Sequence, residues 1–221
     1  MTATVHAAAK RVGVVIPAAG VTLNADLAVP PNARGVVVFA HGSGSSRLSP
    51  RNRAVAETLQ DAGFATLLTD LLTTDEERRD AVSGAYRFDI ELLAGRLVAA
   101  TDWVRNEDSL RTLPIGYFGA STGAAAALVA STRRSGVVRA IVSRGGRPDM
   151  AGHLLALVHA PTLLIVGELD TQVMQLNLVA QRLMLTTAHV VAVHGATHLF
   201  EEPGALEEVA RLANDWFQKR L

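Results

Sequence analysis

The chain has 221 residues, 21 Lys plus Arg against 21 Asp plus Glu, and no cysteine. That length suits one domain with a single core covered by several helices. Balanced and scattered charge excludes an electrostatic footprint for nucleic acid or an anionic membrane and favours a small neutral substrate; the lack of cysteine excludes disulfides, thiolate metal sites and a cysteine nucleophile.

The expected organisation is one domain over residues 1–221, with 1–10 as an N-terminal tail. "MTATVHAAAK" lacks the basic start and long apolar core of a signal peptide, and no apolar run is long enough to span a bilayer, so the expected location is the cytoplasm. In "RVGVVIPAAGVTLNADLAVP" two extended stretches flank Ala-Ala-Gly, and the second alternates apolar and polar residues, which predicts an antiparallel hairpin. The pattern then changes. Short, nearly all-apolar runs follow at Val36 to Ala40, Phe64 to Asp70, "LPIGYFG", "VVRAIVS", "PTLLIVG" and "HVVAV", as expected of strands covered on both faces. Helical spacing fills the gaps at Asn52 to Asp61, Asp89 to Arg105, Thr122 to Arg133, Val173 to Leu185 and Ala205 to Arg220. This alternation predicts an α/β fold: a doubly wound, mainly parallel sheet led by an antiparallel hairpin. The charged stretch Thr73 to Asp89 reads as a surface loop or short helix, a solvated connection rather than the border of a site.

"GASTG" sets Ser121 between small residues where a strand must turn into a helix. A nucleophilic serine on such an elbow projects its hydroxyl freely at the cost of a strained backbone, and Gly119, Ala120 and Gly123 give the turn room. The helix opening at Thr122 aims its N-terminal amides at the place where an oxyanion would form. Alone, this motif is weak, because strand-to-helix turns often use glycine and serine for structural reasons. Context adds to it. "GELD" ends one strand with Glu168 and Asp170, "VHGATHLF" places His194 and His198 beyond the last strand, and the order Ser, acid, His suits an open parallel sheet. "AHGSGSSR" follows the first parallel strand, where a second oxyanion donor is expected, and its glycines let the backbone approach a bound carbonyl.

"AHGSGSSR", "ATLLTDLLT", "GASTG", "SRGGRPD", "GELD" and "GATHLFEEPGALEEVA" together resemble the small, lidless dienelactone hydrolase-like proteins of the α/β-hydrolase superfamily over nearly the whole chain. The resemblance implies an α/β-hydrolase fold without a lid domain, a catalytic triad of Ser121, Asp170 and His198, and an oxyanion hole from the backbone amides of Ser43 and Thr122. It favours Asp170 over Glu168 as the acid and His198 over His194 as the base. Dienelactone hydrolase proper carries a cysteine where this chain carries Ser121, which argues against dienelactone as substrate.

His41 is expected to support its loop, and the Ser43 hydroxyl to be idle. Arg47, Arg144 and Arg147 are read on loops facing the same sheet edge; ion pairs are the expected role, with contact to a substrate carboxylate as the alternative, and Gly44, Arg47 and Arg144 are the candidate substrate contacts. His153 and His159 lack a metal-ligand spacing, so neither a metal nor another cofactor is expected. The resulting expectation is a serine esterase for small or short-acyl carboxylic esters. A lactonase or acyltransferase would use the same triad, and a non-catalytic binding protein could keep the same fold. No nucleic-acid or membrane partner is expected, and monomer and homodimer are equally open.

Overall fold

The structure is a computed structural model that describes residues 9–221; of the tail expected over 1–10, residues 1–8 lie outside the described residues. Strands β1 (Lys10–Ala18) and β2 (Val21–Val29) form the antiparallel hairpin. They are followed by β3 (Val36–Ala40), α1 (Pro50–Asp61), β4 (Ala65–Thr69), α2 (Thr74–Ser83), α3 (Ile90–Asn106) and β5 (Ile115–Ala120). The chain continues with α4 (Thr122–Arg133), β6 (Val138–Arg144), a 3₁₀ segment (Pro148–Leu157), β7 (Thr162–Gly167), α5 (Thr171–Leu183), β8 (Ala188–Val193) and α6 (Ala205–Gln218). One eight-stranded sheet runs β1-β2-β4-β3-β5-β6-β7-β8. Pairing is antiparallel through β1, β2 and β4 and parallel from β4 to β8.

The apolar runs are continuous because both faces of the sheet are covered. Val36, Val38, Tyr117 and Ile141 pack with Leu97 of α3 and Leu128 of α4 on one face. Val37, Phe39, Phe118 and Val142 pack with Leu59 of α1 and Val209 and Phe217 of α6 on the other. Successive side chains of a strand therefore feed opposite halves of the core.

Helix starts differ from the periodic pattern where a cap decides them. Ser49 caps α1 by accepting from Asn52 N–H at 3.3 Å, and Pro50 occupies the first helical turn, so α1 opens two residues before the apolar spacing does. Asp170 caps α5, which moves that start to Thr171. The stretch from Thr73 to Asp89 is largely a true helix. Thr73 Oγ1 accepts from Glu76 N–H at 3.2 Å and Glu76 Oε2 accepts from Thr73 N–H at 2.7 Å, a reciprocal capping box readable as T-x-x-E. Buried Arg96 of α3 holds the other Glu76 oxygen at 2.8 Å and fastens α2 to the body.

Candidate active site

The strand-to-helix elbow is the most constrained backbone of the site. Ser121 sits at φ 50° and ψ −120°, a region that L side chains rarely occupy and that costs about 1–3 kcal/mol. Packing leaves the chain no alternative path. A Cβ on Gly119 would lie 2.5 Å from Ala124 Cα, and one on Gly123 only 2.3 Å from the Ala40 carbonyl oxygen. Ser121 N–H donates to Arg144 O at 3.2 Å, and Ser121 O accepts from Arg147 N–H and Ala124 N–H, both at 3.1 Å, so the elbow is tied to the end of β6 as well as to α4.

The loop after β3 is drawn against the same elbow. His41, 6% exposed, accepts the Leu71 N–H on Nε2 at 3.0 Å. That bond places the ring proton on Nδ1, from which it reaches Gly42 O at 3.0 Å. Burial pushes the imidazole below its ordinary pKa, outweighing the upward pull of the Gly42 carbonyl and of Asp70. His41 therefore fastens the loop, in the role expected of it. The Ser43 hydroxyl, expected to be idle, is engaged: it donates to Arg87 O at 3.3 Å and stands 3.0 Å from Thr122 Oγ1. This contact brings the two residues proposed as oxyanion donors side by side. Gly44, at φ +66°, borders the cavity described below.

At the other end, Asp170 divides its carboxylate between two tasks. Oδ1 caps α5 at Val173 N–H, 3.4 Å away, while Oδ2 lies 2.6 Å from His198 Nδ1. The pair is partly sheltered, with side-chain exposures of 14% for Asp170 and 41% for His198. His198 packs over Gly145, where a Cβ would sit 3.4 Å from ring carbon Cε1. With the carboxylate on Nδ1, the remaining nitrogen Nε2 is the one available to exchange a proton. Among the described residues the Ser121 hydroxyl makes no hydrogen bond to His198. The two are linked through β6, whose last residue, Arg144, accepts from the serine amide and is followed by the glycine under the imidazole.

Glu168 and His194 form a second pair at 2.7 Å, outside the first. His194 is 97% exposed, and Glu168 also accepts from Gly195 N–H at 2.8 Å. That backbone bond, opposed by slight desolvation and aided by His194, holds the Glu168 carboxyl below its ordinary pKa. Glu168 thus bonds a histidine and a backbone amide at the surface.

The three arginines separate cleanly. Arg47 donates from Nη1 to Asp70 at 2.6 Å and from its backbone N–H to the same carboxylate at 2.8 Å, with Asp26 at 3.4 Å from Nε. Its guanidinium is paired with the two carboxylates Asp70 and Asp26. Arg147 is held by Asp149 at 2.9 and 2.7 Å. Arg144, placed on a loop from sequence, is the last residue of β6 and is buried. Of the two histidines that lack a metal-ligand spacing, His153 is exposed and His159 Nδ1 lies 3.4 Å from Ser135 Oγ; no group of three or more His, Asp or Glu side chains converges on a metal position among the described residues.

A cavity of about 470 Å³ opens beside the elbow, lined by His41 to Ser46, Leu71, Leu72, Leu93 and Thr122 and closed on one side by Glu77, Asp80, Ala81 and Arg87. The segment read as a solvated connection therefore borders the site. Its geometry is held by Asp80, which accepts from Tyr86 N–H, Arg87 N–H and Arg87 Nε at 2.8, 2.9 and 2.6 Å. Burial alone would raise the Asp80 pKa, but the donors of Arg87 and Tyr86 outweigh it and hold the carboxyl below its ordinary value.

The profile of the dienelactone hydrolase family matches residues 23–221. The chain belongs to this family. Among solved structures, the dienelactone hydrolase from Anabaena variabilis is 52% identical, superposes with a TM-score of 0.95, and is matched over 97% of this chain and 100% of its own. Est1E from Butyrivibrio proteoclasticus shares 17% identity at a TM-score of 0.78, over 94% of this chain and 98% of its own, a likeness of fold. Two Mycobacterium tuberculosis proteins, provisionally named phosphoribosyl transferase, are 58% identical over 206 residues. That match takes in 93% of this chain but only 44% of theirs, so the chain spans less than half the length of these relatives. Sequence and fold thus agree on membership of the dienelactone hydrolase family.

Proposed function

We propose that the protein is a serine hydrolase that cleaves small or short-acyl carboxylic esters through a covalent acyl-enzyme. The observation that carries the reading is the Asp170–His198 contact of 2.6 Å, joined through the end of β6 to a serine held at a positive φ. His198 Nε2 takes the Ser121 proton as Oγ attacks the ester carbonyl, and Asp170 keeps the imidazole in the tautomer that leaves Nε2 free and stabilises the imidazolium. The backbone amides of Ser43 and Thr122 receive the tetrahedral oxyanion. His198 then gives its proton to the leaving alcohol, and water repeats the cycle on the acyl-enzyme.

A lactonase or an acyltransferase would differ only in what the acyl-enzyme meets after it forms. The phosphoribosyl transferase name belongs to proteins that extend well beyond the matched region, and it is not carried over to this chain. A fluorophosphonate probe followed by peptide mapping tests the reading. The adduct should fall on Ser121, and Ser121→Ala should abolish both labelling and hydrolysis of p-nitrophenyl acetate. Labelling on Ser43, or an active preparation with no label at all, would overturn it.

A further inference from the structure

The cavity beside the elbow holds one charge that no neighbour answers. Glu77 lines it from the first turn of α2, half-buried, and its carboxylate meets no hydrogen-bond donor and no ion-pair partner among the described residues. The groups around it are engaged elsewhere. Glu76, not Glu77, takes the capping bond from Thr73 N–H and the guanidinium of Arg96. Asp80 holds Arg87 at 2.6 Å, and Asp70, just after β4, holds Arg47 at 2.6 Å. Arg47 also reaches Asp26, which binds Arg53 at 2.9 Å. His41, the remaining titratable group of the lining, is a neutral imidazole bonded to Leu71 N–H and Gly42 O. Burial, and then the negative charge of Asp70, push the Glu77 carboxyl above its ordinary pKa against the pull of Arg47. The same cavity is lined by Ser43 and Thr122, whose amides are the proposed oxyanion donors, and floored by Leu71, Leu72 and Leu93.

A carboxylate that has lost part of its water and gained no partner is costly, and a second carboxylate nearby adds to the cost. A cation relieves both. A neutral group leaves the charge unanswered, and an anion is repelled. We propose that Glu77 sets specificity by receiving an ammonium group, carried on an apolar stem, of an ester whose carbonyl lies at Ser43 and Thr122. This deepens the esterase reading and rests on it. The stem covers the three leucines, and the ammonium meets the carboxylate as a charge-assisted pair. The preferred substrates are then cationic esters, although the overall charge balance of the chain favours neutral ones.

Matched pairs of esters, cationic against neutral, test the subsite. On the acyl side they are the p-nitrophenyl esters of 3-aminopropionate against butyrate and of 6-aminohexanoate against heptanoate; on the leaving side, acetylthiocholine against S-(3,3-dimethylbutyl) thioacetate. Each kcat/KM is divided by the rate of spontaneous hydrolysis, because a nearby cation activates the ester by itself. The parent should favour the cation by about fivefold or more in at least one pair, the scale of an ion pair at a partly exposed carboxylate. In Glu77→Gln that ratio should fall to near one, and Glu77→Ala serves if the glutamine variant does not fold. Where esters are turned over, this ratio decides: no preference in any pair, or a preference that survives in the variant, overturns the subsite and leaves the esterase reading standing. Where no ester is hydrolysed, the esterase reading falls and calorimetric titration with benzylammonium chloride and with benzyl alcohol decides the subsite. Saturable binding of benzylammonium that is lost in Glu77→Gln supports it. No binding, or benzyl alcohol bound as tightly as benzylammonium, overturns it.

Discussion

Two histidines four residues apart meet two carboxylates two residues apart, and exposure is what separates the pairs. His194 and Glu168 touch in solvent, where an ion pair is screened and holds little in place. His198 and Asp170 touch where Asp170 is also anchored to α5, so the imidazole is held by a carboxylate that cannot swing away. Replacing His198 by Ala should remove about three orders of magnitude or more from kcat, the scale of a deleted triad member. His194→Ala should change kcat by less than about tenfold, as expected of a solvent-exposed pair. Steady-state kinetics on p-nitrophenyl acetate, with circular dichroism to confirm folding, decide between them. An inactive His194→Ala beside an active, folded His198→Ala would reverse the roles.

Among the elements, the loop between β3 and α1 depends on a single buried imidazole. His41 accepts the Leu71 N–H just after β4, a bond that exists only while Nε2 is unprotonated. Its folded-state pKa lies below the ordinary 6.5 because burial disfavours the cation. The unfolded chain therefore binds this proton first. The contribution is complete above the ordinary imidazole range and is lost as pH falls below it, by up to about 1.4 kcal/mol per pH unit for one proton. Thermal unfolding followed from pH 7 to pH 5 should show a Tm that falls, and His41→Gln should flatten that slope even where its Tm at pH 7 is lower. Parallel slopes in parent and variant would show that His41 is not the group that titrates.

For the molecule as a whole, the shape of the cavity follows from where the chain places its connections. The β6 to β7 link holds only the 3₁₀ segment Pro148–Leu157, so no lid domain stands over the elbow there. Instead α2 and the turn after it wall one side, presenting Glu77, Asp80 and Arg87 above the apolar floor of Leu71, Leu72 and Leu93. A long alkyl chain would have to desolvate that polar rim without pairing it. Across a graded series of p-nitrophenyl esters, kcat/KM should peak from acetyl to butyryl and fall by about tenfold or more at octanoyl. A maximum at long chains would mean that α2 moves aside to open an apolar channel.

Period and punctuation in the sequence determined the architecture. Apolar runs of five to seven residues between helical spacings have one economical arrangement, a sheet covered on both faces, and the hairpin at its edge showed itself by alternation. The elbow was legible for the same reason: only a strained turn crowded by backbone needs small residues on both sides of a serine, and the approach to Gly123 shows how little room there is. The relations between distant residues were decided by the tertiary structure alone. Nothing local assigns the Ser43 hydroxyl to Thr122, Arg47 to two aspartates or α2 to the cavity wall, because those contacts join segments separated by 20 to 80 residues and depend on how the layers meet. Arg144 shows the limit most plainly. Its type and position could be read along the chain, but its burial without a counter-charge is a property of the packed fold, since only packing removes both the water and the alternative partners.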